Sequence, residues 1–216
     1  MIKVHYCPLK PPEIDGYDIV REVETEYHTY QECPVWKHKF NRTFVVNSPI
    51  HFSIFVQNGK LVYDIPKHFP VVISDATELE SNHPIIQLKF PLYYFWTDAD
   101  NLWFEMLDHP MSSLNNNMYV IGGWWNLADY PRSISVAIKI VDNNKPVIIE
   151  KGDPLYRVRF YSNNLNDGFK LIKNEYIPPN IHKQRVSNDP KIVGSQGMNK
   201  RLFENRTCPI KKYLNL

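Results

Sequence analysis

Three stretches of the chain set charged or aromatic side chains at spacings that could do chemistry. In Tyr156-Arg157-Val158-Arg159-Phe160-Tyr161 two guanidiniums lie two residues apart. In an extended strand they share one face, while Tyr156, Val158 and Phe160 share the other. Two parallel guanidiniums can cradle a carboxylate or phosphate, or pair with Glu or Asp on the next strand. Lys151, in the turn Lys151-Gly152-Asp153, adds a third cation. In Gly122-Gly123-Trp124-Trp125-Asn126 two indoles stand beside a glycine pair that leaves backbone room for a partner. Strand alternation brings one of these tryptophans toward the surface, where an aromatic anchor is a typical interface hot spot; the competing reading makes both core residues and the glycines a bulge. Tyr130 is an aromatic that could stack on a base. The candidate binding residues are therefore Trp124, Trp125, Asn126, Tyr130, Lys151, Arg157 and Arg159.

No residue is assigned a catalytic role. None of the eight histidines begins a His-x-Asp or His-x-Glu pair for non-haem iron, and His-Glu-x-x-His, the P-loop and the Gly-x-Ser-x-Gly elbow are absent. Asp108-His109 with Ser112-Ser113 spells a triad on paper, but neighbours in one loop do not adopt triad geometry. Asp98-Ala99-Asp100-Asn101 opens like a calcium loop and lacks the glycine and bidentate glutamate that complete one, so it is expected to be a polar hairpin turn. Cys7, Cys33 and Cys208 are each followed by proline, and Cys33 with His38 is a Cys/His pair five residues apart. An odd, scattered set of this kind suits inert thiols in a reducing compartment. No metal and no cofactor is expected, and the balance leans against an enzyme.

The elements that must position these residues are strands. The 216-residue chain holds 20 Ile, 17 Val, 13 Tyr and 11 Phe against 4 Ala, a balance that favours sheet over helical bundle. Asn58-Gly59 between two apolar runs predicts a tight hairpin. Ser133 to Val141 alternates strictly and predicts a half-buried strand, and Pro91 implies an edge, a bulge or a break in its strand. The strands around 133–141, 146–150 and 156–161 are expected to form a meander. The fold class expected is mainly β: a single-domain antiparallel β-sandwich or barrel, jelly-roll or β-clip-like, with few short helices and an extended C-terminal arm. The organisation expected is an extended, proline-rich lead-in over 1–16, a β-rich domain over 17–176 and a basic arm over 177–216. Net charge is only +2, but residues 183–216 hold eight Lys or Arg and two acids, so the arm could meet a phosphate-bearing or acidic partner. No apolar run reaches the 18 residues of a membrane span.

Two resemblances add to this reading. Gly123-Trp124-Trp125-Asn126-Leu127-Ala128-Asp129-Tyr130, the alternating strand, and Ile149-Glu150-Lys151-Gly152-Asp153-Pro154-Leu155 resemble the central half of the dUTPase superfamily, with Pro110-Met111-Ser112-Ser113-Leu114 similar to its phosphate-binding stretch and Gly194-Ser195-Gln196-Gly197 to its Gly-rich arm. This implies a related β-rich topology. It does not carry the hydrolysis, because Asn126 or Leu127 stands where the family has its water-activating Asp, and Met111 where it has its Arg. Over more of its length the chain resembles a family of tailed-phage proteins, chiefly from phages of marine cyanobacteria, in Cys33-Pro-Val-Trp-Lys, Asn41-Arg-Thr-Phe-Val-Val-Asn-Ser-Pro, the Gly-Gly-Trp-Trp turn, Ile149-Glu-Lys-Gly-Asp-Pro and Glu204-Asn-Arg-Thr-Cys-Pro. That implies a viral origin and brings no activity with it. The expected function is non-enzymatic binding of virion components or a host factor, in the host cytoplasm or the virion. The alternatives are a nucleotide or phosphorylated small ligand on a dUTPase-like fold, and nucleic-acid contact through the basic arm. The partner expected is a viral or host protein, with a homo-oligomer and a phosphate-bearing ligand as further options and no membrane.

Overall fold

The computed structural model describes residues 1–9, 18–21, 34–66, 73–75, 85–110, 116–127, 133–164 and 166–187. Fourteen strands and two short helices follow one another as β1 (Ile2–Pro8), β2 (Ile19–Arg21), α1 (Pro34–Phe40), β3 (Thr43–Asn47), β4 (Phe52–Gln57), β5 (Lys60–Asp64), β6 (Ile73–Asp75), β7 (Ile85–Thr97), β8 (Trp103–Leu107), β9 (Met118–Ile121), β10 (Gly123–Asn126), β11 (Ser133–Ile140), β12 (Val147–Ile149), β13 (Pro154–Tyr161), β14 (Phe169–Lys173) and α2 (Pro179–Ser187) among the described residues. They form three sheets. The first runs β14-β1-β7-β11-β9 with β6 beside β7, the second β10-β8-β13-β3-β2, and the third β12-β4-β5. Pairing is antiparallel apart from β1 with β14, which is parallel. The chain is therefore a β-sandwich, as its composition predicts.

Rings from facing sheets fill the space between the layers. Phe95 of β7 meets Phe104 of β8 at 5.3 Å and Phe160 of β13 at 6.5 Å, and Phe52 of β4 meets Phe90 of β7 edge to face at 4.9 Å. β11 supplies Ile134, Val136, Ile138 and Ile140 to this core, each at most 2% exposed, so its alternation is realised residue by residue. The Asn58-Gly59 hairpin joins β4 to β5, with φ of 51° and 71° at the two turn residues, the left-handed pair that a two-residue turn requires. Around Pro91 the register of β7 against β11 shifts between the pairs Tyr93–Ile134 and Leu88–Val136; a residue without an N–H falls in the bulge, where no ladder bond is lost.

Three expectations change. The strands β11, β12 and β13 are no meander: β11 pairs with β7 and β9, β12 with β4, and β13 with β3 and β8, so each joins a different sheet. Their apolar faces each find a different partner layer, which short polar turns permit as readily as hairpins. The 98–101 turn likewise is no hairpin, because it carries the chain from β7 in the first sheet to β8 in the second. The N-terminal residues expected to be a lead-in are extended, but Ile2–Pro8 is an inner strand, between β14 and β7. At the other end, Ile181 of α2 packs with Ile177 and Leu9 over Cys7, Tyr94 and Trp96 on the outer side of the first sheet. Cys7 is buried there. Residues 188–216, including most of the basic arm and its Gly194–Gly197 stretch, lie outside the described residues, as do Cys33 and Cys208.

Gly122 is where the chain leaves the first sheet, at the end of β9, to enter the second as β10. A Cβ there would stand 2.2 Å from the Met106 carbonyl oxygen, whereas one on Gly123 would meet nothing within 4 Å. Gly122→Ala is thus expected to destabilise the fold by about 1–3 kcal/mol, the range of forced overpacking, and Gly123→Ala by much less. Thermal melts of the two variants measure the difference.

Candidate functional site

The outer face of the second sheet gathers the residues singled out above. Successive strand residues alternate, and Tyr156, Val158 and Phe160 are fully buried, so Arg157, Arg159 and Tyr161 of β13 face away from the core. Glu105 stands opposite Arg159 on β8 and opposite Trp124 on β10, while Thr43 stands opposite Arg159 on β3. One row across the sheet therefore reads Trp124, Glu105, Arg159, Thr43. The next reads Asn126, Trp103, Tyr161.

Arg159 is tied into this surface from three sides. Its Nε donates to Thr43 Oγ1 at 3.2 Å, its Nη1 donates to the Tyr161 hydroxyl at 3.2 Å, and the same Nη1 lies 3.7 Å from Glu105 Oε2. The Tyr161 hydroxyl in turn donates to Glu105 Oε2 at 2.5 Å. Burial, and then the bond to the Glu105 carboxylate, push the Tyr161 hydroxyl up to about 12. The cross-strand carboxylate weighed for the arginines is thus present for Arg159. Arg157 is anchored differently, its Nε donating to the backbone oxygen of Asp108 at 2.8 Å. Asp108 also accepts from the Val120 amide at 2.9 Å, which holds the connection from β8 to β9.

The two tryptophans separate as alternation requires. Trp124 is 39% exposed, and its ring lies 4.8 Å from that of Trp103, which is itself buried. Trp125 turns inward and stacks on Phe104 at 4.6 Å, so it packs, partly buried, against the core. Asn126 is fully buried and works beneath the surface. Its Nδ2 donates to Asn101 Oδ1 at 2.7 Å, the same oxygen takes the Trp103 indole N–H at 3.1 Å, and Asn101 Nδ2 donates to Asn163 Oδ1 at 3.0 Å. These amides fix the floor under Trp124. Lys151 is not brought to this face: it is an exposed residue of the turn before β13, where Gly152 donates to the Ser48 carbonyl at 2.8 Å. Tyr130, Met111, Ser112 and Ser113 lie outside the described residues. Among the described residues no three His, Cys, Asp or Glu side chains come together as a metal site would need.

Glu105, Tyr161, Thr43 and Trp103 were not singled out by sequence reasoning. Tyr161 had a signal, since it continues the parity of Arg157 and Arg159. Glu105 and Thr43 had none, because only strand register sets them beside Arg159.

No family model matches the sequence, and no curated protein matches it. Among solved structures the chain is similar to the native dUTPase of EIAV, at 10% identity and a TM-score of 0.38, over 81% of this chain and 99% of that one. It is similar to the dUTPase of Staphylococcus bacteriophage 80alpha with dUPNHPP, at 9% and 0.34, over 64% and 80%. A third is a dUTPase variant from phage phi11 of S. aureus, at 9% and 0.35, over 74% and 97%. At these identities and TM-scores the likeness carries no residue role, ligand or activity to this chain.

The Tyr161 hydroxyl supplies a pH test. Its value in the folded chain, about 12, lies above the roughly 10 of an unfolded tyrosine, so its share of stability is complete below about pH 10 and is lost as pH climbs toward 12. Tyr6 and Tyr156 are shifted the same way by burial. Urea unfolding between about pH 9 and 11.5 is expected to show stability falling with pH, and Tyr161→Phe to make that fall shallower without abolishing it.

Proposed function

We propose that the chain binds a nucleotide or another phosphorylated small ligand on the outer face of its second sheet. The observation that carries this reading is the row that places the exposed Trp124 indole and the Arg159 guanidinium on one face, with Arg157 beside them on β13. Trp124 and Arg159 are two strand spacings apart, about 9–10 Å, which suits a ligand that stacks a ring at one end and presents an anion at the other. Glu105 stands between them and competes for Arg159, so a bound anion would displace the loose 3.7 Å ion pair.

The role is binding without hydrolysis. Where the resemblance to dUTPases would require a water-activating carboxylate, the chain has Asn126 or Leu127, both fully buried; neither an amide nor an alkyl group can take a proton from water. The resemblance to tailed-phage proteins supports a viral protein acting in the host cytoplasm or the virion.

A second reading, docking of a viral or host protein, is favoured by the composition of the same face. Trp124, Tyr161 and Arg159 are the residue types enriched at interface hot spots, and strand register brings them to one sheet face.

Calorimetry and thermal shift against nucleotides and sugar phosphates test the first reading. Saturable binding is expected, weakened about tenfold or more by Trp124→Ala and by Arg157→Ala. Glu105→Gln is expected to tighten it, because it removes the competing carboxylate. Silence across the panel, or binding indifferent to all three changes, overturns the reading in favour of the protein partner.

A further inference from the structure

The third sheet, β12-β4-β5, ends on a strand that has no neighbour on its far side among the described residues: β5 pairs with β4. Asn58-Gly59 is a two-residue turn, so Gln57 and Lys60 form the hydrogen-bonded pair that closes it, and bonding alternates from there. Lys60, Val62 and Asp64 turn their backbone groups toward β4. Leu61 and Tyr63 turn theirs outward along the open edge. Their side chains alternate as well. Leu61 and Tyr63 share the inner face with their partners Val56 and Ile54, while Lys60, Val62 and Asp64 share the outer face with Gln57, Phe55 and Ser53. Tyr63 is 53% exposed, although its partner Ile54 is fully buried.

Natural sheets guard such an edge with charges, prolines or bulges, because an open strand recruits another chain. The charges on β5 do not guard it against a copy of itself. We propose that β5 is a homodimer edge, pairing antiparallel with β5 of a second copy about a two-fold axis through Val62. In that register Lys60 of each copy faces Asp64 of the other, Leu61 faces Tyr63, and Val62 faces its own counterpart. Leu61 and Tyr63, whose backbone groups point outward, become the hydrogen-bonded pairs, so each open N–H and C=O of the edge is met. The exposed Tyr63 ring covers the half-buried Leu61 of the other copy on the inner face. On the outer face Phe55, Val62 and their counterparts line up as one apolar row across a six-stranded sheet. Sliding the strands by two residues loses both ion pairs, and sliding by four sets Lys60 against Lys60 or Asp64 against Asp64. The sequence of β5 thus specifies one register by charge, and the two-fold axis makes the contact close on itself.

Sedimentation velocity on the full chain tests this, with a concentration-dependent dimer as the expected result. Lys60→Glu and Asp64→Lys each set like charges across both ends of the paired strands and are expected to raise the dimer dissociation constant about tenfold or more. The double variant Lys60→Glu/Asp64→Lys restores opposite charges and is expected to recover the dimer. Both positions are exposed, so the melting temperature at dilute, monomeric concentration serves as a control for folding. Register is read separately in a chain with Cys33 and Cys208 replaced by serine. Val62→Cys is expected to form an intermolecular disulfide on mild oxidation, since a non-hydrogen-bonded antiparallel pair brings the two residues within disulfide reach. Leu61→Cys, facing Tyr63, is expected to form none. A chain that stays monomeric at high concentration, a double variant no better than the single ones, or equal cross-linking from positions 61 and 62 would overturn the proposal and leave the edge to a different partner.

Discussion

Phe104 and Phe160 stand opposite one another across β8 and β13, with their rings edge to face at 5.7 Å inside the sandwich. Phe95 reaches both from the facing sheet, and the tilted Phe169 ring lies beyond Phe160 at 5.8 Å. This interlayer contact sets the register of the second sheet. Because side chains alternate, placing Phe104 against Phe160 on the inside places Glu105 against Arg159 on the outside, and a slip of one residue would bury the ion pair and expose the rings. Burying a large aromatic contributes a few kcal/mol, well above what a partly exposed ion pair returns. The core therefore decides the geometry of the outer surface.

The surface so positioned is held rigidly at two levels. Above, Arg159 donates to Thr43 and Tyr161 and Tyr161 donates to Glu105, which holds the guanidinium two strands away from Trp124 on the same face. Below, Asn126, Asn101, Asn163 and the Trp103 indole N–H form a short amide network under the exposed ring. A buried amide costs stability unless its hydrogen bonds are met, and here Asn101 meets three partners at once. Asn126 thus contributes to the surface by supporting it rather than by touching a ligand. Arg42 serves a similar bracing role elsewhere. It is buried, lies over the Phe169 ring at 5.4 Å, and donates to the backbone oxygens of Asn164 and Asp167 in the loop before β14.

The sandwich is built by a chain that changes sheets repeatedly. The 98–101 turn passes from β7 to β8, Gly122 from β9 to β10, and the polar turns at 142–145 and 151–153 distribute β11, β12 and β13 over three sheets. Each crossing needs a local permission. Thr97 Oγ1 accepts the Ala99 amide at 3.2 Å, Asn117 Nδ2 donates to the carbonyls of Asp142 and Lys145 at 2.7 and 2.8 Å, and Gly122 admits the Met106 carbonyl. These devices are local, but the choice of sheet is made by which layer covers the apolar face of the strand that follows.

The sequence by itself determined the kind of structure: β-rich composition, the Asn58-Gly59 hairpin, the inward set Ile134, Val136, Ile138 and Ile140, an irregularity at Pro91, and the shared face of Arg157 and Arg159. All of these follow from backbone preferences and side-chain parity within a few residues. Parity also allowed that Trp124 and Trp125 would part, but not which would be covered. Only the tertiary structure decided that Trp125 goes to Phe104, that Asn126 is a buried support, that Lys151 stands apart from the arginines, and that Glu105 and Thr43 complete the site. Those outcomes depend on register between strands that are dozens of residues apart. Register is set by how the aromatic core packs, and no local pattern encodes it.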